Sequence, residues 1–230
     1  MFSLVPLAAD AAPNPWFSWN YVTEYSQELL AAGQQHIYIT VVSVLLALVC
    51  AVPLALLVRR YPRLTAAVLG LSGVLYTIPS LALISLLWPV VGLAPATVIV
   101  ALAIYGLLVV LRNTLVGLDG VPRESVEAAY GMGMSERSTL WRVEVPLALP
   151  TILAGLRIAT VSTVGMVTIG ALVGYGGFGQ LILSGFQQNF FHAQIATATI
   201  GCVLLAVIFE LLLLGIEKGL TPWTRKRGAA

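Results

Sequence analysis

The chain has 230 residues, of which 59% are hydrophobic and only 10% are charged, and its mean hydropathy is +0.94. Soluble domains carry about 25% charged residues, so this composition excludes an ordinary water-soluble protein. The apolar surface exceeds what one small core can bury, and the bilayer must be its solvent. We therefore predict an all-α integral membrane protein with one membrane domain, because helices satisfy their own backbone groups in lipid.

Residues 1–34 are predicted to form an extracytoplasmic segment before the membrane domain. Their first stretch, MFSLVPLAADAA, has a short apolar run without a basic start, so we do not expect a cleaved secretion signal. Within residues 16–33, Trp16, Trp19 and Leu29 recur near helical spacing, which indicates an amphipathic helix on the outer leaflet. An aromatic anchor that leads directly into the first span is an equal alternative.

Five apolar stretches reach the roughly 17–25 residues that a helix needs to cross a bilayer. We predict membrane-spanning helices at residues 35–58, 64–88, 94–111, 149–173 and 194–216. Together they define a membrane domain over residues 35–216. A polar loop at residues 119–146 joins the third span to the fourth, and a basic tail at residues 217–230 follows the last span.

All 12 lysines and arginines fall into three groups, which follow the first, third and fifth spans. The groups are Arg59, Arg60 and Arg63; Arg112, Arg123, Arg137, Arg142 and Arg157; and Lys218, Arg225, Lys226 and Arg227. Basic residues concentrate on the cytoplasmic side of membrane proteins. Five alternating spans put all three groups on that side only if the N-terminus is outside, so we predict a cytoplasmic C-terminus.

The second span contains the string YTIPS at residues 76–80. Pro79 removes a backbone donor and frees a carbonyl upstream, so the helix must bend or break there. The hydroxyls of Thr77 and Ser80 are placed to satisfy the freed groups. Since broken helices often line substrate paths, we take four residues as candidates for the translocation pathway: Tyr76, Thr77, Pro79 and Ser80. A purely structural kink is the alternative.

The loop at residues 119–146, which we name the elbow, is predicted to fold as helix–turn–helix. Pro122 suits the first turn of a helix over residues 122–132, and Gly133 suits the left-handed residue that ends it. Ser135 suits the cap of a second helix. The elbow also carries small and adaptable side chains suited to docking on another protein: Ala128, Ala129, Met132, Met134, Leu140 and Trp141. A solvated hairpin that only joins two spans is the alternative.

The string GYGGFGQ, residues 174–180, follows the fourth span. Glycine permits close backbone approach and non-helical turns, so we predict a gate or re-entrant segment on the outer side, followed by a short helix. Its candidate residues are Gly174, Gly176, Gly177 and Gly179. An ordinary extracellular loop is the alternative. Earlier in the span, Gly155 and Ala159 form a small-residue pair suited to helix contact within one subunit or across a dimer.

Two charged residues lie at membrane depth. Arg157 lies inside the cytoplasmic end of the fourth span, and Glu210 lies toward the cytoplasmic end of the fifth. Ionisable residues at such depth usually face a cavity or a partner, so both are candidates for the pathway. Their similar depth suggests that they pair with each other. The alternative is that Arg157 reaches the interface and Glu210 finds a backbone or water partner.

The elbow resembles the loop of ABC-importer permeases, whose pattern is EAA, three residues, Gly, nine residues and Ile-x-Leu-Pro. Glu127, Ala128, Ala129 and Gly133 match the pattern in place, and Pro146 matches its last residue. The Ile and Leu of the pattern are both valine here, which preserves their apolar character.

Longer strings extend the resemblance over residues 35–216, among them YTIPSLALISLLWPVVGL, IYGLLVVLRNTLVGLDGVPRESVEAAYGMGMS, WRVEVPLALPTILAGLRIAT and GYGGFGQLI. They resemble the osmoprotectant branch of these permeases, which handles glycine betaine, choline, carnitine and related compounds. The resemblance implies a type I importer permease fold and a multi-pass protein of a prokaryotic cytoplasmic membrane.

The resemblance also implies that the elbow is a coupling helix that fits a groove on a cytoplasmic ABC ATPase dimer. The residues implied in this docking are Glu127, Ala128, Ala129, Gly133, Met134, Leu140, Trp141 and Pro146. A second permease, identical or related, and an extracytoplasmic solute-binding protein would complete the transporter in lipid, without nucleic acid. The sequence has no G-x-x-x-x-G-K-[ST] phosphate loop, so we expect no enzyme, catalytic residue or metal site here, and ATP with Mg²⁺ on the partner ATPase.

Three other functions are compatible with parts of the sequence. A permease for methionine or another small solute would use the same fold, and an ion-coupled secondary transporter would use Glu210 as its ion site. An intramembrane serine protease would need a histidine base near Ser72 of the string GLSG. The only histidines, His36 and His192, fall at the outer ends of spans. We interpret both as interfacial residues and the string as a chance match.

Overall fold

A computed structural model describes residues 14–223 of the chain. These residues form ten α-helices, with 3-10 turns at Pro62–Leu64 and Thr168–Val173 and a π-helical turn at Leu140–Glu144. The helices are α1 (Trp19–Glu24), α2 (Ser26–Arg60), α3 (Thr65–Thr77), α4 (Ser80–Val91), α5 (Pro95–Asp119), α6 (Arg123–Gly131), α7 (Glu136–Thr139), α8 (Val145–Val167), α9 (Phe178–Gln187) and α10 (His192–Leu220). The expectations for residues 1–13 and 224–230, including a secretion signal and most of the basic tail, lie outside the described residues.

Five helical stretches are apolar enough to cross a membrane, which confirms the predicted all-α membrane fold. Four of them, which contain α2, α5, α8 and α10, are long single stretches, and the fifth is the bent pair of α3 and α4. The helices extend beyond the predicted spans: α2 begins at Ser26 rather than near residue 35, and α5 continues to Asp119. Apolar composition marks only the part of a helix that lies in hydrocarbon, whereas the helix continues through the polar interface.

The single amphipathic helix predicted over residues 16–33 is divided between two helices, so the prediction of one continuous helix was wrong. Ser18 caps α1 by accepting a hydrogen bond from the backbone of Tyr21. The helical conformation is interrupted at Tyr25, and α2 begins at the next residue. Tyr21 is buried because its ring stacks on Tyr25 and packs edge-on against Phe191 at the start of α10. The aromatic residues therefore attach α1 to the bundle and lead directly into the first span.

The second span is broken at Pro79, as the sequence predicts. Ile78 and Pro79 adopt extended backbone between α3 and α4, and the two helices meet at an angle of 101°. The residue before a proline avoids the helical conformation, and proline lacks the donor that would continue the helix. The predicted span 64–88 is therefore not one straight helix.

Helix α5 forms the centre of the bundle and packs against α2, α8, α3 and α4. In its most apolar stretch 61% of the residues are buried, against 6% in α10. Close packing against α8 requires Gly155, because a Cβ there would lie 2.3 Å from Cβ of Asn113. Ala159, one turn later, is buried in the same core. This small-residue pair thus packs within the chain, which decides between its two predicted roles.

Candidate functional site

The elbow folds as a helix–turn–helix at the polar end of α5. Helix α6 ends at Gly131, and Gly133 adopts the left-handed conformation with φ +81°. The next amide, of Met134, donates to the carbonyl of Ala129 at 3.1 Å, which closes the turn. Ser135 caps α7 by accepting from the backbone of Ser138 at 3.4 Å. The glycine turn and the serine cap are therefore confirmed.

Five residues of the elbow, which together we name the elbow surface, are exposed: Glu127, Ala128, Tyr130, Met132 and Trp141. Met132 is 75% exposed and Trp141 is 53% exposed, which is unusual for such large apolar side chains unless another surface covers them.

Ala129 does not belong to this surface, although its place in the EAA string suggested contact with a partner. Its exposed fraction is 1%, so it packs inside the elbow. Met134, Leu140 and Pro146 are half-buried, and Leu140 packs on a cluster formed by α5 and α8. Tyr130 was not selected from the sequence, and its side chain is 47% exposed. Its position directly after the EAA string was the available signal.

A second group of elbow residues, missed from the sequence, faces the bundle. Glu144 is only 6% exposed at the end of the π-helical turn, and its carboxylate contacts the Arg59 guanidinium of α2. Pro146 has no N–H to bond the carbonyl of Arg142, so the chain cannot keep regular α-helical bonding there. The resulting wider turn places Glu144 inward while Trp141 stays exposed.

The candidate pathway residues lie at the break between α3 and α4. Tyr105 of α5 donates a hydrogen bond through its hydroxyl to the carbonyl of Ile78, and its ring meets that of Tyr76 edge-on at 5.7 Å. Thr77 donates to a carbonyl in its own last turn at 2.7 Å. The carbonyl of Leu75, which would bond a residue-79 amide in a regular helix, accepts instead from the amide of Ile78 at 3.3 Å, and α5 supplies the donor only to the carbonyl of Ile78. Tyr105 thereby connects the break to the core of the bundle.

Arg157 and Glu210 pair across α8 and α10, so their predicted pairing is confirmed. The Arg157 guanidinium donates through Nε to Glu210 Oε1 at 3.1 Å and through Nη1 to Glu217 Oε2 at 2.8 Å. Glu217 was not selected from the sequence, although its seven-residue spacing from Glu210 puts both on one helix face. The three side chains are 22–36% exposed, and Arg157 and Glu210 line a groove of about 540 Å³. An arginine that contacts Glu210 occupies the carboxylate that an ion-coupled transporter would need.

The glycine string after α8 is tightly packed between neighbouring elements. Gly174 and Gly177 have φ values of +90° and +53°. Added Cβ atoms would lie 2.3 Å from an Ala171 backbone atom at Gly176 and 2.4 Å from a backbone oxygen at Gly179. The short helix predicted to follow is observed as α9. The segment is thus held in one arrangement against α2 and the 3-10 turn, and its action as a gate stays a prediction.

The two histidines occupy different environments, and the interpretation of His36 as interfacial was wrong. His36 is fully buried, with Nε2 2.9 Å from the carbonyl of Val164 and its ring against Phe178. It is buried because α9 folds back over α2. His192 lies at the outer end of α10, where Nδ1 is 3.0 Å from the carbonyl of Asn14. Both imidazoles contact main-chain carbonyls, those of Val164 and Asn14. The geometry therefore gives no support to a protease in which either histidine is the base for Ser72.

Several curated relatives align with most of the chain. It is 38% identical to the glycine betaine/carnitine/choline transport system permease protein OpuCD of Bacillus subtilis (strain 168), over 90% of this chain and 91% of that protein. It is 37% identical to the osmoprotectant import permease protein OsmW of Salmonella typhimurium, over 88% and 96%.

Solved structures share the fold. The methionine ABC transporter MetNI, in inward-facing conformations, matches with a TM-score of 0.75 and 22% identity, over 86% of this chain and 98% of that chain. An amino acid ABC transporter crystallised with histidines matches with a TM-score of 0.73 and 16% identity. At these identities the likeness concerns the fold alone.

The profile of one protein family matches residues 40–226, which is most of the chain. This match includes the elbow, the broken span and both charged residues of the α8–α10 pair. The chain therefore belongs to the family of binding-protein-dependent transport system inner membrane components and is a membrane permease subunit of an ABC importer.

Proposed function

We propose that this permease imports a quaternary-ammonium osmoprotectant such as glycine betaine, choline or carnitine. The observation that carries the proposal is the identity of 37–38%, over 85–90% of the chain, to three permeases named for osmoprotectant, choline or glycine betaine/carnitine/choline transport. Each match also covers 87–96% of the relative, so it is not confined to one segment of the chain. Import of methionine is supported only by a shared fold, because the structural match to MetNI has 22% sequence identity.

The elbow surface is proposed to dock on a cytoplasmic ABC ATPase dimer that binds ATP and Mg²⁺. Exposed Met132 and Trp141, flanked by Glu127, offer adaptable apolar area with a charged margin, as protein interfaces do. Gly133 and the Ser135 cap fix the direction of this surface relative to α8. A docked ATPase would then move α5 and α8, which flank the elbow, between inward-open and outward-open states.

The other proposed partners are a second permease subunit, identical or related, and an extracytoplasmic solute-binding protein. Helix α10 supports a membrane environment and further helix contacts, because only 6% of its most apolar stretch is buried within the chain. We place the N-terminus outside and the C-terminus inside a prokaryotic cytoplasmic membrane, on the distribution of the arginines and lysines. The membrane domain is assigned to residues 35–216, after an outer segment at 1–34.

The solute path is proposed to run past the break between α3 and α4 and along the groove that contains Arg157 and Glu210. Tyr76, which is 46% exposed, presents its ring beside the break with the buried Tyr105 ring edge-on to it, and aromatic faces attract quaternary ammonium groups. The glycine segment from Gly174 to Gly179 is proposed to close the outer end, since it packs against both α2 and the end of α8.

Uptake measurements test the proposal. The chain, expressed with its ATPase and solute-binding protein in cells that lack osmoprotectant uptake, is expected to restore accumulation of labelled glycine betaine, choline or carnitine. Labelled methionine serves as the control solute. Glu127→Lys at the elbow surface is expected to abolish uptake while the protein stays in the membrane. Accumulation of methionine alone would refute the proposed solute class, and unchanged uptake by the Glu127→Lys variant would refute docking at the elbow.

A further inference from the structure

An ion pair between a buried carboxylate and a partly exposed guanidinium (33% exposed) connects the elbow to the first span. Glu144, at the inner side of the π-helical turn, is 6% exposed, and its carboxylate contacts Nη1 of Arg59. Nε of the same guanidinium lies 4.0 Å from a carboxylate oxygen of Asp119. Arg59 belongs to the last turn of α2, Asp119 ends α5, and Glu144 immediately precedes α8. The Arg59 side chain of α2 therefore lies between the end of α5 and the start of α8.

The burial of Glu144 makes this contact persistent. A buried carboxylate is strongly disfavoured without a cationic partner, so Glu144 stays inside the elbow only while a cation accompanies it. The Arg59 guanidinium is planar and can serve two carboxylates at once. The neighbouring pair differs, because Arg60 and Glu136 are 3.6 Å apart and their side chains are 66% and 81% exposed. Exposed pairs separate at little cost.

The same π-helical turn also contributes to the elbow surface. Trp141 points outward and Glu144 inward, within five residues of one continuous turn. On the inner side, Leu140 and Val145 pack on a cluster formed by α5 and α8, so displacement of the turn reaches those two helices through apolar contacts. Helix α2 joins this cluster through the partly buried Leu56. The Arg59 contact adds a charged link between α2 and the turn.

We propose that Arg59, acting through Glu144, is a positioning residue for energy coupling. It holds α2 to the elbow, so that α2, α5 and α8 move as one body when the elbow is displaced. This proposal rests on the proposed docking of an ATPase at the elbow surface. Arg60, one residue later, has no such role. Its partner Glu136 is exposed on α7, so the two side chains can separate at little cost when α7 moves.

The test uses the complete transporter, purified through a tag on this chain and reconstituted in liposomes. The measured quantities are the ATPase copurified, the ATP hydrolysed and the glycine betaine accumulated. Arg59→Gln is expected to lower solute accumulated per ATP hydrolysed on the order of tenfold, within the range of typical coupling free energies. Copurified ATPase is expected to stay at the wild-type amount, because the elbow surface is intact. The matched control, Arg60→Gln, is expected to behave as wild type.

Charge exchange separates coupling from simple loss of folding. Arg59→Glu combined with Glu144→Arg restores the pair and is expected to recover most of the solute carried per ATP. If Arg59→Gln is not recovered from the membrane, Arg59→Lys is used instead. Lysine keeps the positive charge but lacks the planar guanidinium that can contact two carboxylates, so we expect a partial decrease in solute accumulated per ATP hydrolysed. An unchanged ratio in Arg59→Gln or Arg59→Lys, equal damage by Arg60→Gln, or no rescue by the exchange would overturn the proposal. A wild-type chain that copurifies no ATPase would refute docking at the elbow itself.

Discussion

The charged cluster between α8 and α10 makes a quantitative prediction about which of its members the fold needs. Arg157 is the cation between Glu210 and Glu217 and donates a hydrogen bond to each. Removing it by Arg157→Gln leaves two facing carboxylates without their shared donor. Loss of one partner from a fully buried pair costs about 3–5 kcal/mol, and because these side chains are 22–36% exposed we expect about 2 kcal/mol here. Removing Glu217 instead leaves Arg157 paired with Glu210 and also removes the excess negative charge, so we expect a change within about 1 kcal/mol.

Thermal unfolding in detergent measures this asymmetry. A loss of about 2 kcal/mol corresponds to a fall in Tm of about 4–8 °C for a chain of this size. We expect Arg157→Gln to show that fall and Glu217→Gln to unfold within about 3 °C of the wild type. The exchange variant, Arg157→Glu with Glu210→Arg, restores one cation between two carboxylates and is expected to be more stable than either single change.

Two results would refute the reasoning. If Arg157→Gln unfolds at the wild-type temperature, the guanidinium does not stabilise the α8–α10 contact. If the exchange variant is no more stable than Arg157→Glu alone, the pairing of Arg157 with Glu210 does not determine the stability of this site.

Three further substitutions test single features of the fold. Gly133→Asp places a side chain at φ +81°, which costs roughly 1–2 kcal/mol, and we expect the variant to insert and hydrolyse ATP in the complex but to accumulate no solute in liposomes. Gly177→Ala puts a Cβ 2.5 Å from a carbon of α2, so its Tm should fall, whereas Gly73→Ala, with open space around its Cβ, should not lower it; equal Tm values would contradict the close approach. Tyr105→Phe removes the donor to the broken span, so hydrogen exchange at residues 76–80 should accelerate, and unchanged exchange would show that this bond does not hold the break.

Features with local chemical causes could be predicted from the sequence. Pro79 removes one helical hydrogen bond from the second span because proline has no amide hydrogen, so a bend at this residue could be predicted without knowledge of the rest of the chain. Gly133 and Ser135 form the elbow turn because their backbone and hydroxyl preferences act over a few residues. The pairing of Arg157 with Glu210 followed from depth, since two charges at one level of a bilayer have few other partners.

Features that depend on packing between distant segments were missed or wrongly predicted. Glu144 was not selected from the sequence, because only the π-helical turn buries it against Arg59. His36 looked interfacial because it stands early in its span, but α9 folds back over it, a contact that span prediction does not describe. Ala129 was assigned to the docking surface from the EAA string, whereas it lies about 100° around α6 from the exposed Ala128, on the buried side of the helix.

During synthesis, the broken span leaves the ribosome before α5. Helix α5 contains Tyr105, whose hydroxyl bonds to the carbonyl of Ile78 at the break. Until Tyr105 arrives, the carbonyl of Ile78 has no hydroxyl donor from α5, and the stretch from α3 to α4 is a continuous apolar segment with a proline near its middle. We expect this segment to enter the bilayer as one gently kinked helix and to adopt the 101° angle only when α5 docks. A truncated chain that ends before Pro95 should therefore hold the segment nearly straight, and the sharp corner is a product of helix assembly rather than of insertion.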